Sequence, residues 1–284
     1  MGQCKVLNGV AGVGSARVAV VGLGKYSAFD VTKFRRALSA AMRAISRTDS
    51  RQVLNGLSLE NVDGASAYYL GRFTAEAAGE ALYRFTAMKS GKKPKVMPLR
   101  KVGLAVANRS DGAKARLGAE HGEGIAAGVS LARELGNLPA NVCTPSHLAR
   151  TAQKIARETR NVTTKVLGEA EMKRLGMHSL LSVTAGTKEP AKLIVMQYKG
   201  KAGAKPIVLV GKGVTFDSGG ISLKPGPSMD EMKFDMCGAA GVIGTLLTAA
   251  RLKLPLNVTV VVPAVENLPS GIATKPGDIV KSMS

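Results

Sequence analysis

The sequence has no tryptophan, and five tyrosines and six phenylalanines bring its aromatic share to only 4%. Few rings are available for base stacking, and no helix-turn-helix or RNA-recognition pattern is present. Cysteine is scarce too. Cys4, Cys143 and Cys237 cannot build a disulfide framework, which fits a reducing compartment. The three histidines, His121, His147 and His178, have no ligand spacing between them, so a histidine-based metal centre is not expected. No stretch approaches about 18 apolar residues free of charge, so no membrane span is expected. The opening MGQCKVLNG lacks a positively charged region followed by an apolar core, so no signal peptide is expected either. These absences together lead us to expect a cytoplasmic protein. Acidic residues are also few: 20 Asp and Glu stand against 40 Lys and Arg, a formal net charge of +20.

The excess of positive charge gathers largely in the amino-terminal half, in KSGKKPKVMPLRK at 89 to 101 and in the helix-like KFRRALSAAMRAISR. A basic face can attract nucleic acid or acidic lipid. A solvated basic surface is the simpler reading and the one we prefer. At 284 residues and 45% hydrophobic content there is room for two domains with real cores.

Strands and helices alternate along the chain, which predicts α/β architecture with a mainly parallel sheet in each domain. ARVAVVGLG near 16 to 24 and KVGLAVAN near 101 to 108 read as strands, with helices around 31 to 47 and 74 to 88. The Ala-rich run from about 111 to 135 has helical spacing despite Gly118, Gly122, Gly124 and Gly128. A further helix opens at 147 to 159, capped by Thr144 or Ser146 with Pro145 in its first turn. Strands follow at about 163 to 167, 192 to 198, 206 to 212 and 257 to 265, with helices near 169 to 176 and 236 to 252.

One segment stands apart: VGKGVTFDSGGISLKPGPSMDEMKFDMCGAAG, residues 210 to 241. The run leading into it, PIVLVGKG from Pro206, is apolar and uninterrupted, as in a strand buried on both faces. In open α/β sheets, ligands bind beyond the carboxyl ends of strands, and Lys212 sits near such an end. Asp217 and Asp235 are joined by a Gly/Pro-rich loop able to fold back, so they can offer oxygen ligands to one divalent cation or a close pair. A lysine among carboxylates can polarise a carbonyl as a cation, or donate its nitrogen lone pair once deprotonated beside a metal. Lys212 and Lys224 can divide those two tasks.

Neighbouring residues have simpler readings. Cys237 reads as a small buried residue of the next helix, and Met236 as core packing. Asp230 and Glu231 read as first-turn helix charges favoured by the dipole. Ser218 has no histidine nearby to act as its base, so a structural hydroxyl is expected. VGLGK at 21 to 25 lacks the spacing of a phosphate loop.

VGKGVTFDSGGISLKP followed by MDEMKFDMCGAA resembles the metal-binding signature of the leucine aminopeptidase family, the cytosolic di-metal aminopeptidases. The resemblance continues from GNLPANVCTPSHLA through ENLPSGIATKPGDIVKSMS over residues 137 to 284, and more loosely over 16 to 110. It implies a small amino-terminal α/β domain (1 to 110) and a linking helix (111 to 136). A catalytic α/β domain with a central, mostly parallel sheet (137 to 284) would follow. It also implies that Lys212 and Asp235 hold one metal, that Asp217 bridges two, that Lys224 points at the substrate carbonyl, and that Met232 lines the pocket for the first side chain. Two cations about 3.5 to 4 Å apart then bind the free amine of a peptide, polarise the scissile carbonyl and acidify a water. Mn²⁺ or Zn²⁺ is expected ahead of Mg²⁺, because a nitrogen donor tilts an oxygen-rich site that way. Peptides with a leucine-like first residue are the implied substrates and a homo-hexamer the implied assembly. Some bacterial members also bind DNA.

The resemblance further implies an Asn-Thr-Asp-Ala-Glu-Gly-Arg stretch beyond Ser284, which would supply an Asp, a bridging Glu and an Arg. We therefore expect the chain to be an internal fragment or truncated product with little activity alone. Its remaining roles would then be DNA binding or those of a non-catalytic subunit.

Overall fold

The computed structural model describes residues 2–25, 29–91 and 97–283. Of the basic run at 89 to 101, residues 92 to 96 lie outside the described residues. The chain divides into two compact units, residues 1–127 and 128–284.

The first unit begins with an antiparallel pair, β1 (Cys4–Asn8) and β2 (Arg17–Val21). Helix α1 (Val31–Ser46) follows, opened by Asp30, whose Oδ1 accepts a hydrogen bond from the Lys33 N–H at 2.8 Å. Its Phe34, Leu38 and Met42 are fully buried, while Arg35 and Arg43 reach Glu76 and Glu80 of the next helix at 3.7 and 3.6 Å. β3 (Gln52–Asn55) pairs in parallel with β4 (Lys101–Leu104), and α2 (Ala67–Leu82) lies between them in sequence. The α/β class holds, yet the expected single parallel sheet is replaced by two separate pairs. A cavity of about 760 Å³ lies between them, lined by Arg17, Val18 and Ala19 on one side and Gln52 and Val53 on the other. α2 starts seven residues before the sequence reading placed it. Its first turn, AYYL, looks strand-like because aromatic residues favour strands, yet it lies against a neighbouring helix.

Helix α3 (Gly112–Asn137) crosses the division between the units. Its glycines mark close helix crossings. A Cβ on Gly118 would fall 1.9 Å from the Tyr68 carbonyl oxygen of α2, and one on Gly122 would fall 2.3 Å from that of Arg72. Within the second unit, a Cβ on Gly128 would meet Thr248 Oγ1 at 2.1 Å. Backbone cannot yield as a side-chain tip can. Gly118→Ala is therefore expected to destabilise the first unit by about 1–3 kcal/mol, read as a lowered urea midpoint. An unchanged midpoint would contradict the crossing.

The second unit continues with α4 (Pro145–Glu158), whose cap is Thr144 rather than Ser146: its Oγ1 accepts from the His147 N–H at 3.3 Å. The Ser146 N–H instead donates to Glu189 Oε1 at 3.0 Å. Burial alone would raise the Glu189 pKa, but bonds from Ser146 and Thr144 outweigh it and hold the carboxyl below its ordinary value. A depressed folded pKa stabilises above the ordinary glutamate value of about 4.3, and the stabilisation is lost as pH falls through the folded value. Glu189→Gln keeps an acceptor but loses the charge, so it is expected to cost about 1 kcal/mol at pH 7, the difference between a charged and a neutral acceptor. In denaturation curves taken at successive pH values, the gap from the parent should close as the pH falls below about 4. A gap that persisted at low pH would count against this role.

β5 (Val162–Leu167), α5 (Glu169–Arg174), α6 (His178–Val183), β6 (Lys192–Lys199), β7 (Pro206–Val210), β8 (Gly213–Asp217), α7 (Cys237–Arg251) and β9 (Asn257–Asn267) complete the unit. β9 is the central strand. It pairs antiparallel with β6, which pairs antiparallel with β5, and it pairs in parallel with both β7 and β8. Ile194, Met196, Val260 and Val262 are fully buried, as are Ile243 and Leu246 of α7.

Two expectations need correction here. The Pro206–Val210 strand is not buried on both faces: it forms an edge, with Ile207, Val208 and Val210 at 53, 57 and 69% exposure. Its apolar composition is the sort that cover on both faces would demand, but among the described residues no element provides that cover. Cys237, expected to be buried, is exposed at the first position of α7. Among the described residues, no helix is long and apolar enough to cross a membrane.

Candidate metal centre

β7 and β8 run along β9 as two halves of one interrupted strand, in register from Pro206↔Asn257 to Val210↔Val261 and resuming at Gly213↔Ala264. Lys212 stands at the break. The glycines on either side are required by close approach: a Cβ on Gly211 would lie 2.7 Å from Gly238 O, and one on Gly213 the same distance from Pro263 O. The Lys212 carbonyl accepts from the Ala239 N–H at 2.8 Å, so the break is fastened to the first turn of α7. That fastening fixes where the lysine leaves the sheet.

β8 ends at Asp217, and a glycine turn follows. Gly219 and Gly220 have φ of +91° and +68°, in the left-handed region that disfavours side chains. The Gly219 N–H donates to Asp217 Oδ1 at 3.0 Å. The Lys224 N–H donates to Ser218 O at 2.9 Å, closing the loop and returning the lysine to the strand end. There its Nζ lies 2.8 Å from Asp217 Oδ2 and 3.0 Å from Met232 Sδ. Met232 belongs to a 3₁₀ segment, Met229–Met236, whose first turn carries Asp230 and Glu231 and whose Met236 is fully buried.

The same segment ends by presenting Asp235. Lys212 Nζ lies 2.8 Å from both oxygens of this carboxylate. Only Oδ1 accepts a hydrogen bond with suitable geometry, because lone-pair direction as well as distance decides whether a donor satisfies an acceptor. The contact to Oδ2 is one of charge alone, and that oxygen is enclosed with no hydrogen-bond partner among the described residues.

The sequence-derived candidates therefore form two Lys–Asp pairs: Lys212 with Asp235, and Lys224 with Asp217 and Met232. Burial alone would raise the Asp217 pKa; hydrogen bonds from Lys224, the Asn267 side chain and the Gly219 N–H outweigh it and hold the pKa below the ordinary carboxylate range. Asp217 is thus an anion over the whole neutral range. Ser218 has the structural part expected of it: its Oγ donates to the Asn267 carbonyl at 2.8 Å and accepts from the Gly220 N–H at 3.2 Å. The histidines lie elsewhere, His121 bonded through Nδ1 to the Tyr68 hydroxyl at 2.8 Å in the first unit, and His147 and His178 in α4 and α6.

Asn267 was not singled out from the sequence. It closes β9 opposite Asp217 and donates from Nδ2 to Asp217 Oδ1 at 2.8 Å. A signal existed, since a polar side chain ending a long β-branched run at a sheet's functional edge has no packing reason to be there. A cavity of about 280 Å³ opens beside the loop, lined by Gly219, Gly220, Ser222, Asn267 and Lys275 among others.

The donor set fits a divalent cation in part. Asp235 Oδ2, enclosed and in charge contact with Lys212, and Asp217 Oδ2, bonded to Lys224, are hard oxygens that a cation would take by displacing those ammonium groups. Among the described residues, however, no group of three or more His, Cys, Asp or Glu side chains could hold a metal.

Comparison with known proteins bears on this arrangement. The model for the catalytic domain of the cytosol aminopeptidase family matches residues 130–284, and that for the family's N-terminal domain matches residues 1–92. A probable cytosol aminopeptidase of Paraburkholderia xenovorans (strain LB400) is 49% identical over 283 residues, 99% of this chain and 55% of the relative. One from Dechloromonas aromatica (strain RCB) is 48% identical over 284 residues, 100% of this chain and 57% of the relative. Among solved structures, the bottromycin maturation enzyme BotP in complex with Mn superposes with a TM-score of 0.82 at 34% identity, covering 98% of this chain and 57% of that one. A mutant of tomato leucine aminopeptidase gives 0.83 at 30% identity, covering 99% and 53%. The chain spans about half the length of the curated relatives it matches.

Proposed function

Because the chain belongs to the cytosol aminopeptidase family, we propose that its second unit carries part of the active site of a metal-dependent aminopeptidase that removes leucine-like residues from peptide amino termini. The observation that carries this reading is that one 3₁₀ segment, Met229–Met236, meets both Lys–Asp pairs: its Asp235 pairs with Lys212 just before β8, and its Met232 lies beside Lys224, which pairs with Asp217 at the end of β8. Lys212, Asp217 and Asp235 would hold divalent cations, Mn²⁺ or Zn²⁺ ahead of Mg²⁺. When bound, such cations supply Lewis acidity toward a carbonyl and lower the pKa of a coordinated water.

Lys224 would act on the substrate itself. Its ammonium can hydrogen-bond the scissile carbonyl oxygen as negative charge develops there, a contribution of about 3–4 kcal/mol for a preorganised donor. Asp217 Oδ2 and Met232 Sδ hold that ammonium at the end of β8. Met232, on the same side, would bound the space for the first side chain. Lys212 must give up its proton to serve as a ligand, so metal uptake by this site releases protons and weakens as pH falls.

DNA binding is the second reading. Thr32, Arg35, Arg36, Ser39 and Arg43 line a depression of about 400 Å³ on α1. Arg35 and Arg43 already have glutamate partners, which lowers the charge that face presents, so we favour the peptidase.

The peptidase reading is tested by titrating residues 1–284 with MnCl₂ in a calorimeter at pH 7.5. Saturable binding with proton release supports it, and no binding would remove its basis.

A further inference from the structure

Asp217 is the most heavily hydrogen-bonded side chain of the candidate centre, and its bonds are divided unequally between its two oxygens. Oδ1 accepts from the Gly219 N–H at 3.0 Å and from Asn267 Nδ2 at 2.8 Å, whereas among the described residues Oδ2 accepts from Lys224 alone. Oδ1 is thereby anchored from two sides, and the lone pairs of Oδ2 are aimed by that anchoring. The geometry points to Asn267 as a positioning residue that orients Asp217 for cation binding.

The orientation of the Asn267 amide follows from chemistry. An ionised carboxylate only accepts, so the nitrogen of the amide must face it. Gly220 supports the same placement: a Cβ there would lie 2.8 Å from Asn267 Oδ1, so the glycine leaves room for the amide oxygen. The two residues are register partners across β8 and β9, and the Asn267 carbonyl also accepts from the Ser218 N–H at 3.0 Å and Ser218 Oγ at 2.8 Å. Those last two bonds use the Asn267 backbone. Replacing its side chain therefore removes the donor to Asp217 while leaving the strand pairing and the Ser218 turn intact. Outer groups that orient a metal ligand are typically worth 10- to 100-fold in affinity, because an unanchored carboxylate must lose its rotational freedom on binding.

This inference rests on the proposed reading of Asp217 as a ligand, and its test separates the two. Residues 1–284 are titrated with MnCl₂ in the calorimeter as the parent chain, as Asn267→Ala and as Asn267→Leu, the last keeping the volume of the amide without its donor. Each protein is also unfolded in urea without metal. We expect both variants to bind Mn²⁺ about 10- to 100-fold more weakly, while their metal-free urea midpoints fall only slightly, because each loses the one hydrogen bond to Asp217. Variants that bound Mn²⁺ as tightly as the parent would overturn the positioning role while leaving the metal reading standing. A loss of affinity accompanied by loss of the cooperative urea transition in both variants would also overturn it, since Asn267 would then be only structural. A parent chain that took up no Mn²⁺ would overturn the reading of the centre and this inference with it.

Discussion

Replacing Asp217 by asparagine is expected to weaken Mn²⁺ binding by residues 1–284 by on the order of 100-fold or more, the upper end of what outer-shell groups alone contribute. The substitution is nearly isosteric. The amide oxygen of the replacement side chain can still accept from the Gly219 N–H, so the turn that follows β8 keeps its shape. The negative charge is what disappears. It is also what Lys224 depends on, so the same variant takes away that ammonium's anionic partner and leaves the Met232 sulfur beside it. Asp235→Asn should act in the same direction by a different route. It removes the charge facing Lys212 and turns an enclosed, unbonded oxygen into part of an amide that donates rather than ligates. Calorimetric titration reads both. Affinities within a factor of about two of the parent, below any ligand effect, would mean that these carboxylates are not the ligands.

The second large effect concerns turnover. Residues 1–284, purified and supplied with Mn²⁺, are expected to hydrolyse a leucyl anilide no faster than a Lys224→Ala variant does. Two carboxylates and one lysine give fewer donors than a pair of divalent cations needs, and among the described residues no third acidic side chain joins them. Catalysis by positioned cations fails steeply when the site is incomplete, because geometry within about 0.5 Å decides the rate. Metal-dependent hydrolysis that vanished in Lys224→Ala would show instead that this half of the site suffices.

Much of this was legible in the sequence, for identifiable physical reasons. Lys212, Asp217, Lys224 and Asp235 stood out because charged residues among glycines and prolines after an apolar run have no packing explanation, and Met232 came only from the family resemblance; the structure pairs Lys212 with Asp235 and sets Lys224 beside Asp217 and Met232. Helix α4 was legible because Thr144 and Pro145 are both start signals. β8 was not, since a five-residue strand opening on glycine and ending on aspartate carries little alternation, and it is defined by its pairing with β9. The burial of Pro206–Val210 was misjudged because composition reports what a strand is suited to contact, not what lies beside it. The long helix Gly112–Asn137 survives its glycines because Gly118, Gly122 and Gly128 are the points where other backbones come closest, a fact of tertiary packing that propensity alone cannot carry. Asn267 was overlooked for a similar reason: its importance comes from a partner 50 residues away.

The most direct test of the account is a crystal of residues 1–284 soaked in Mn²⁺ and measured at the manganese absorption edge. The account predicts an anomalous peak within coordination distance of Asp217 Oδ2, Asp235 Oδ2 and Lys212 Nζ, with Lys224 released from Asp217. Both Lys–Asp pairs unchanged, with no peak between them, would contradict it.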